Sequence, residues 1–123
     1  MTVPARDAAE LLHTLGYLYS QHGKDKRGLA LLLIAARVAP NDAGVMRTLA
    51  ASFVANGAGD RALAAIDRVA ELEGAVSPTL TLLRARALWE SGRRIEARAA
   101  FRDYVAERNL EREPEAELED ASV

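Results

Sequence analysis

Residues 11–40 read LLHTLGYLYSQHGKDKRGLALLLIAARVAP, a stretch that predicts a helix, a glycine turn and a second helix closed by proline. Leu11, Leu12, Leu15, Leu18 and Tyr19 recur at spacings of three and four, one apolar face on a helix from about Arg6 to His22. Gly23 then supplies the positive φ that ends a helix. The second helix runs from about Asp25 to Val38 and stops before Pro40, which lacks an N–H and disfavours α geometry in the residue before it. Gly16, Gly28 and Ala35 are small enough to let two antiparallel helices approach closely. Leu29, Leu31, Leu32, Leu33 and Ile34 make the second helix apolar all round, so it needs cover on most sides. Central burial and a partner surface both meet that need. One hairpin cannot bury its apolar faces alone, so its recurrence along the chain is the next test.

The hairpin does recur. Asn41 and Asp42 cap a third helix that carries Val45, Met46, Leu49, Ala50 and Phe53 to about Ala55. After Asn56-Gly57, a fourth helix opens at Gly59-Asp60, buries Ala62, Leu63, Ile66, Val69 and Ala70, and ends at Gly74. Ser77-Pro78 starts a fifth helix with an N-cap and a proline at N1, and it runs to about Ser91. The sixth is predicted over about Arg94 to Arg108, with Ala97, Phe101, Tyr104 and Val105 inward. No strand-like alternation of useful length occurs. The turn glycines Gly23, Gly57 and Gly92 stand 34 and 35 residues apart, the period of the tetratricopeptide (TPR) repeat. Three registers agree: Gly16, Ala50 and Ala85 at the small site of the first helix, and Tyr19, Phe53 and Leu88 at the site after it. The expected fold is all-α, three TPR-like hairpins in a short right-handed solenoid. An N-terminal stub occupies 1–8, the repeats about 9–42, 43–77 and 78–108, and an acidic tail 109–123 is expected to be disordered.

Composition narrows the function. The 123 residues contain no cysteine, which excludes disulfides and thiolate metal sites and points to a reducing compartment. No apolar run approaches the roughly 20 residues of a membrane span. The start, MTVPARDAAE, lacks a signal-peptide pattern, so a cytosolic protein is expected. The net charge of −2 hides a segregation, because residues 111–120 hold six acids and one base and leave the remainder at +3. Arg94, Arg98 and Arg102 form a stripe on the sixth helix, which reads as a solvated face or a resting place for the acidic tail. Without aromatic interleaving it is a poor nucleic-acid footprint. His13 and His22 lie nine residues apart on opposite faces of one helix, so they cannot share a metal. With no carboxylate pair or serine–histidine arrangement, no enzyme, cofactor or metal site is expected.

A chain of three repeats with the opening LLHTLGYLYSQHG and the ending ALWESGRRIEARAAFRDYVAE resembles the small TPR chaperones of bacterial type III secretion. It is most similar to the YscY group and more distantly to the SycD/LcrH class, over about residues 9–108. The resemblance implies a non-enzymatic bacterial cytoplasmic protein that holds an export substrate and escorts it to the export apparatus, working at the periphery of the inner membrane. The implied client is a small secreted YscX-like protein, with the export-gate protein as a further contact. A general TPR interaction module in a different bacterial assembly is the alternative.

TPR arrays line their concave face with the first helix of each pair. The matching positions here include Tyr17, then Arg47, Ala51 and Val54, then Leu82, Arg86 and Trp89. Tyr17, Val54, Leu82 and Trp89 would make the groove apolar, with Arg47 and Arg86 as hydrogen-bonding clamps, suited to an amphipathic helix or an extended apolar segment. Inter-repeat packing is the competing role for Trp89. Carboxylate-clamp TPR domains need lysine or asparagine at several sites where this chain has His13, Tyr17 and Thr48. The apolar helix around Leu29–Ile34 is the rival client surface.

Overall fold

A computed structural model describes the backbone over residues 3–121 and side chains as far as Arg112. Six α-helices follow one another: α1 (Ala5–Gln21), α2 (Asp25–Val38), α3 (Ala43–Ala55), α4 (Gly59–Glu73), α5 (Pro78–Glu90) and α6 (Arg94–Ala121). No strand occurs among the described residues. The strongest packing is within α1/α2, α3/α4 and α5/α6, and α2/α3 and α4/α5 join one hairpin to the next. The three-hairpin TPR-like reading therefore holds.

The repeat is written into its turns. Gly23, Gly57 and Gly92 have φ of 75°, 74° and 82°. At each turn the glycine N–H donates to the carbonyl three residues back (Ser20, Val54, Trp89), at 3.0–3.1 Å. The following N–H reaches back five residues, to the carbonyls of Tyr19, Phe53 and Leu88, at 2.8–2.9 Å. This pair of bonds is the Schellman motif, which satisfies carbonyls a helix end leaves open. Helix starts use side chains: Asp42 Oδ1 accepts from the Val45 N–H at 3.1 Å, and Ser77 Oγ from that of Leu80 at 3.2 Å. Both caps fall where the sequence predicts them.

Close approach explains the small residues. A Cβ on Gly16 would sit 2.7 Å from Leu32 Cγ, and one on Gly28 only 2.9 Å from the Gly16 carbonyl oxygen. Ala50 and Ala85, at the equivalent sites, are fully buried. The main core runs from Leu32 through Leu49, Phe53, Ile66 and Val69 to Leu80 and Leu83, and Ala85, Leu88, Ala97 and Ala100 form a satellite under α6. The two readings of α2 prove to be two sides of one helix: Leu32 is wholly buried and Leu29 packs on the core, whereas Leu33 and Ile34 stand open.

One boundary differs from expectation. Helix α1 begins at Ala5, within one residue of the expected start at about Arg6, with Pro4 at its N-cap. Helix α6 does not end at Arg108. Leucine, glutamate and arginine are good helix formers and Asn109–Arg112 offers no breaker, which carries α6 past Arg108; helical backbone is described as far as Ala121. The acidic tail expected to be disordered begins within this helical stretch, and its side chains from 113 onward lie outside those described.

Candidate functional site

The concave side carries two adjoining hollows. The first, about 470 Å³, is lined by Tyr17 and Gln21 of α1, Arg47, Thr48 and Ala51 of α3, and Thr79, Leu82 and Arg86 of α5. The second, also about 470 Å³, lies toward α6 and is lined by Val54, Arg86, Trp89, Glu90 and Phe101. Ala55 and Arg86 border both, making one groove across three hairpins. All seven residues expected to face the groove reach it, but not in equivalent roles.

Tyr17, Ala51 and Arg86 are exposed and Leu82 is half-buried. Val54 is only 5% exposed and belongs to the core, so it forms floor rather than contact surface. Arg47, expected as a clamp, is paired with Glu73 at the end of α4. That pair ties the two helices of the second hairpin together and neutralises the charge. Arg86 has no ion pair among the described residues, leaving it as the groove's uncompensated cation.

Trp89 is 44% exposed, and the Arg94 guanidinium lies 5.1 Å from its ring centroid. Its equivalents two residues before the helix C-cap, Ser20 and Val54, are turned into the structure, and the reason is topological. Behind each of those residues stands a further hairpin, whereas Trp89 belongs to the last one. Trp89 stacks against Arg94 and lines the same hollow as Val54 and Phe101, at the groove lip.

His13 and Thr48, which stand where carboxylate-clamp domains need lysine or asparagine, bond to each other at 2.7 Å. Thr48 Oγ1 donates its single proton to the Gly44 carbonyl at 3.0 Å, so His13 must be the donor, with its proton on Nε2. The pair joins α1 to α3. Asn56, legible as a turn residue, does more than close a turn: its Nδ2 donates to the Ser52 and Asp25 carbonyls at 2.8 and 3.1 Å, fastening α3 to the start of α2. Ser52 was not predicted to line the groove. It lies in the floor with its hydroxyl buried and unpartnered among the described residues, and only its small size between Ala51 and Phe53 hinted at this.

At the start of α6, Arg93 donates to both oxygens of Glu96 at 3.0 and 2.6 Å. These bonds hold the Glu96 carboxyl below the usual carboxylate range. No group of three histidine, cysteine or acidic side chains that could hold a metal occurs among the described residues, and no described helix is long and apolar enough to cross a membrane.

A third hollow, of about 650 Å³, opens away from the groove between Leu33, Ile34, Arg37, Pro40, Met46 and Arg68. It belongs to the rival surface on α2. Arg68 is held there by Asn41 at 2.6 Å and by Glu71 at 3.2 Å.

No family model matches the chain. No curated protein matches it either. Among solved structures it is similar to the Yersinia enterocolitica type III secretion chaperone SycD in complex with a peptide of the translocator YopD. That match has 21% identity and a TM-score of 0.70, and covers 94% of this chain and 86% of the other. A second structure, of the Yersinia enterocolitica translocator chaperone SycD in an alternative dimer, gives 20% identity and a TM-score of 0.69 over 93% and 88% of the two chains. At these identities the likeness is one of fold.

Proposed function

We propose that this protein is a type III secretion chaperone, a non-enzymatic carrier that holds a segment of a secreted client in its concave groove until export. The observation that carries the reading is the groove itself. Tyr17, Leu82 and Trp89 offer apolar surface along one face, Arg86 offers an uncompensated cation, and the backbone that presents them has the fold of a chaperone crystallised with a translocator peptide. Apolar pockets with one fixed donor suit a short amphipathic segment, because the pockets read side chains while the arginine orients a carbonyl or carboxylate. Aromatic residues and arginine are also the types that dominate binding energy at interfaces.

The client is a small secreted protein of the YscX kind, delivered to the export gate from the cytoplasmic side. Co-expression with candidate small secreted proteins, followed by size exclusion, tests this directly. A stable complex with one of them, lost in Trp89→Ala and retained in Arg98→Ala on α6, supports the reading. Failure of every small secreted candidate to co-elute, while an unrelated assembly protein does, refutes it and leaves a general TPR module.

A further inference from the structure

The groove continues past the two hollows that form it. A further hollow of about 580 Å³ opens where α1 turns into α2, between Lys24, Lys26, Arg27 and Asn56. Ala55 lines it and also lines both halves of the groove, so the three meet around the C-terminal end of α3. The side chains gathered there are mostly cations. Lys24, Lys26 and Arg27 come from the α1–α2 turn and the start of α2, Arg86 from α5, and Arg94 from the start of α6, stacked on Trp89. All five are exposed, and none has an ion pair among the described residues. The acids lining the same three hollows are Asp25 and Glu90, so five cations against two acids leave this rim at +3. The other end of the groove carries no such excess. There Arg47 is neutralised by Glu73, and its neighbours Thr48 and Thr79 are uncharged.

We propose that the client segment held in the groove is flanked on one side by an acidic stretch, which Lys24, Lys26, Arg27, Arg86 and Arg94 hold where it leaves the groove past Ala55. This rests on the reading of the groove as a client site, and it adds the client's charge and its orientation. Apolar side chains fill the hollows beside Leu82 and Trp89, and carboxylates lie over the rim. Because the excess charge stands at one end only, the segment fits in one direction and not in the reverse. A peptide suits this rim better than a flat anionic surface does, since the cations border a concave groove and stand on three separate elements. Like charges gathered at one rim repel one another, and an acidic segment relieves that repulsion as it binds. The same field draws an acidic segment in from a distance, which speeds capture and makes it sensitive to salt.

Selection of peptides from a random display library on the full chain, with Trp89→Ala as counter-selection, tests the proposal. The wild type should enrich peptides with aspartate or glutamate to one side of apolar residues. A variant combining Lys24→Glu, Lys26→Glu and Arg27→Glu should lose most of that bias. It should keep its helical circular dichroism, because all three side chains are exposed and glutamate in the first turn of a helix is favoured by the macrodipole. Arg37→Glu, at the other end of α2, should leave the bias unchanged. For an enriched peptide, replacing its acids by glutamine should raise Kd on the order of tenfold at low salt, since each exposed pair contributes a factor of about 1.5 to 5. That gap should close at about 0.5 M salt. Trp89-dependent peptides without an acidic bias, or a bias undiminished by the triple reversal, overturn this proposal and leave the groove reading standing. A wild type that selects no Trp89-dependent peptide overturns both.

Discussion

Replacing Trp89 by alanine is the most direct probe of the groove, and the structure sets the expected size of its effect. A tryptophan presents at most about 250 Å². With 44% exposed, about 110 Å² remains for a client to cover. At about 25 cal/mol per Å² that surface contributes roughly 2.7 kcal/mol. Ordering the side chain takes back about 0.5–1 kcal/mol, although stacking on Arg94 has already done part of this. The net expectation is about 2 kcal/mol, or roughly a 30-fold rise in Kd. Titration calorimetry with a client peptide measures it. Because Trp89 is the only tryptophan, its emission should also shift to the blue as the peptide covers it. The part of the side chain already buried makes a modest fall in Tm acceptable. Unchanged affinity in a folded Trp89→Ala protein would refute the assignment. If Leu31→Asp then folds but no longer binds, the client sits on α2.

Gly16→Leu should destabilise the first hairpin by about 1–3 kcal/mol in chemical denaturation, since even a Cβ there meets Leu32 at 2.7 Å; an unchanged midpoint would contradict the helix register. Thr48→Val removes the acceptor of His13 Nε2 and should cost about 1 kcal/mol by the same measurement. Deleting residues 113–123, which contain few large apolar side chains, should leave Tm unchanged. Since Arg93 depresses the Glu96 carboxyl, the pair stabilises α6 above the ordinary carboxylate range and loses its effect as pH falls through the lowered value. The Tm difference between wild type and Glu96→Gln should therefore be present at neutral pH and vanish in acid.

The hairpins were legible because their signals are local. A glycine that must take positive φ, a proline that cannot continue a helix, and a serine or aspartate cap each act within one turn of chain. The groove was legible at the level of facing, since TPR geometry assigns it to the first helix of each pair. What a single helix cannot disclose is which facing residues are already engaged elsewhere. Arg47 and Arg86 both stand at groove-facing positions of their repeats, yet Glu73, 26 residues after Arg47, reaches only the first of them. Val54 and Trp89 share a site, and their difference depends on whether another hairpin follows. The run of α6 past its expected end at about Arg108 has a simpler cause. Acidic composition argues against a packed core, but it does not argue against helix, and glutamate and arginine sustain α geometry on the surface.

The order of packing along the chain has one more consequence. Neither α1 nor α2 touches α5 or α6 among the described residues; the outer hairpins meet only through the middle one, chiefly across α2–α3 and α4–α5 with smaller α1–α3 and α3–α5 contacts. The distance across the groove is thus set by two joints, α2 on α3 and α4 on α5, acting in series like the legs of a pair of callipers. A slight rotation at either joint moves Tyr17 and Trp89 relative to each other while leaving every hairpin internally intact. The width of the groove can be tuned by changing residues at the joints, such as Leu29, that lie away from its lining.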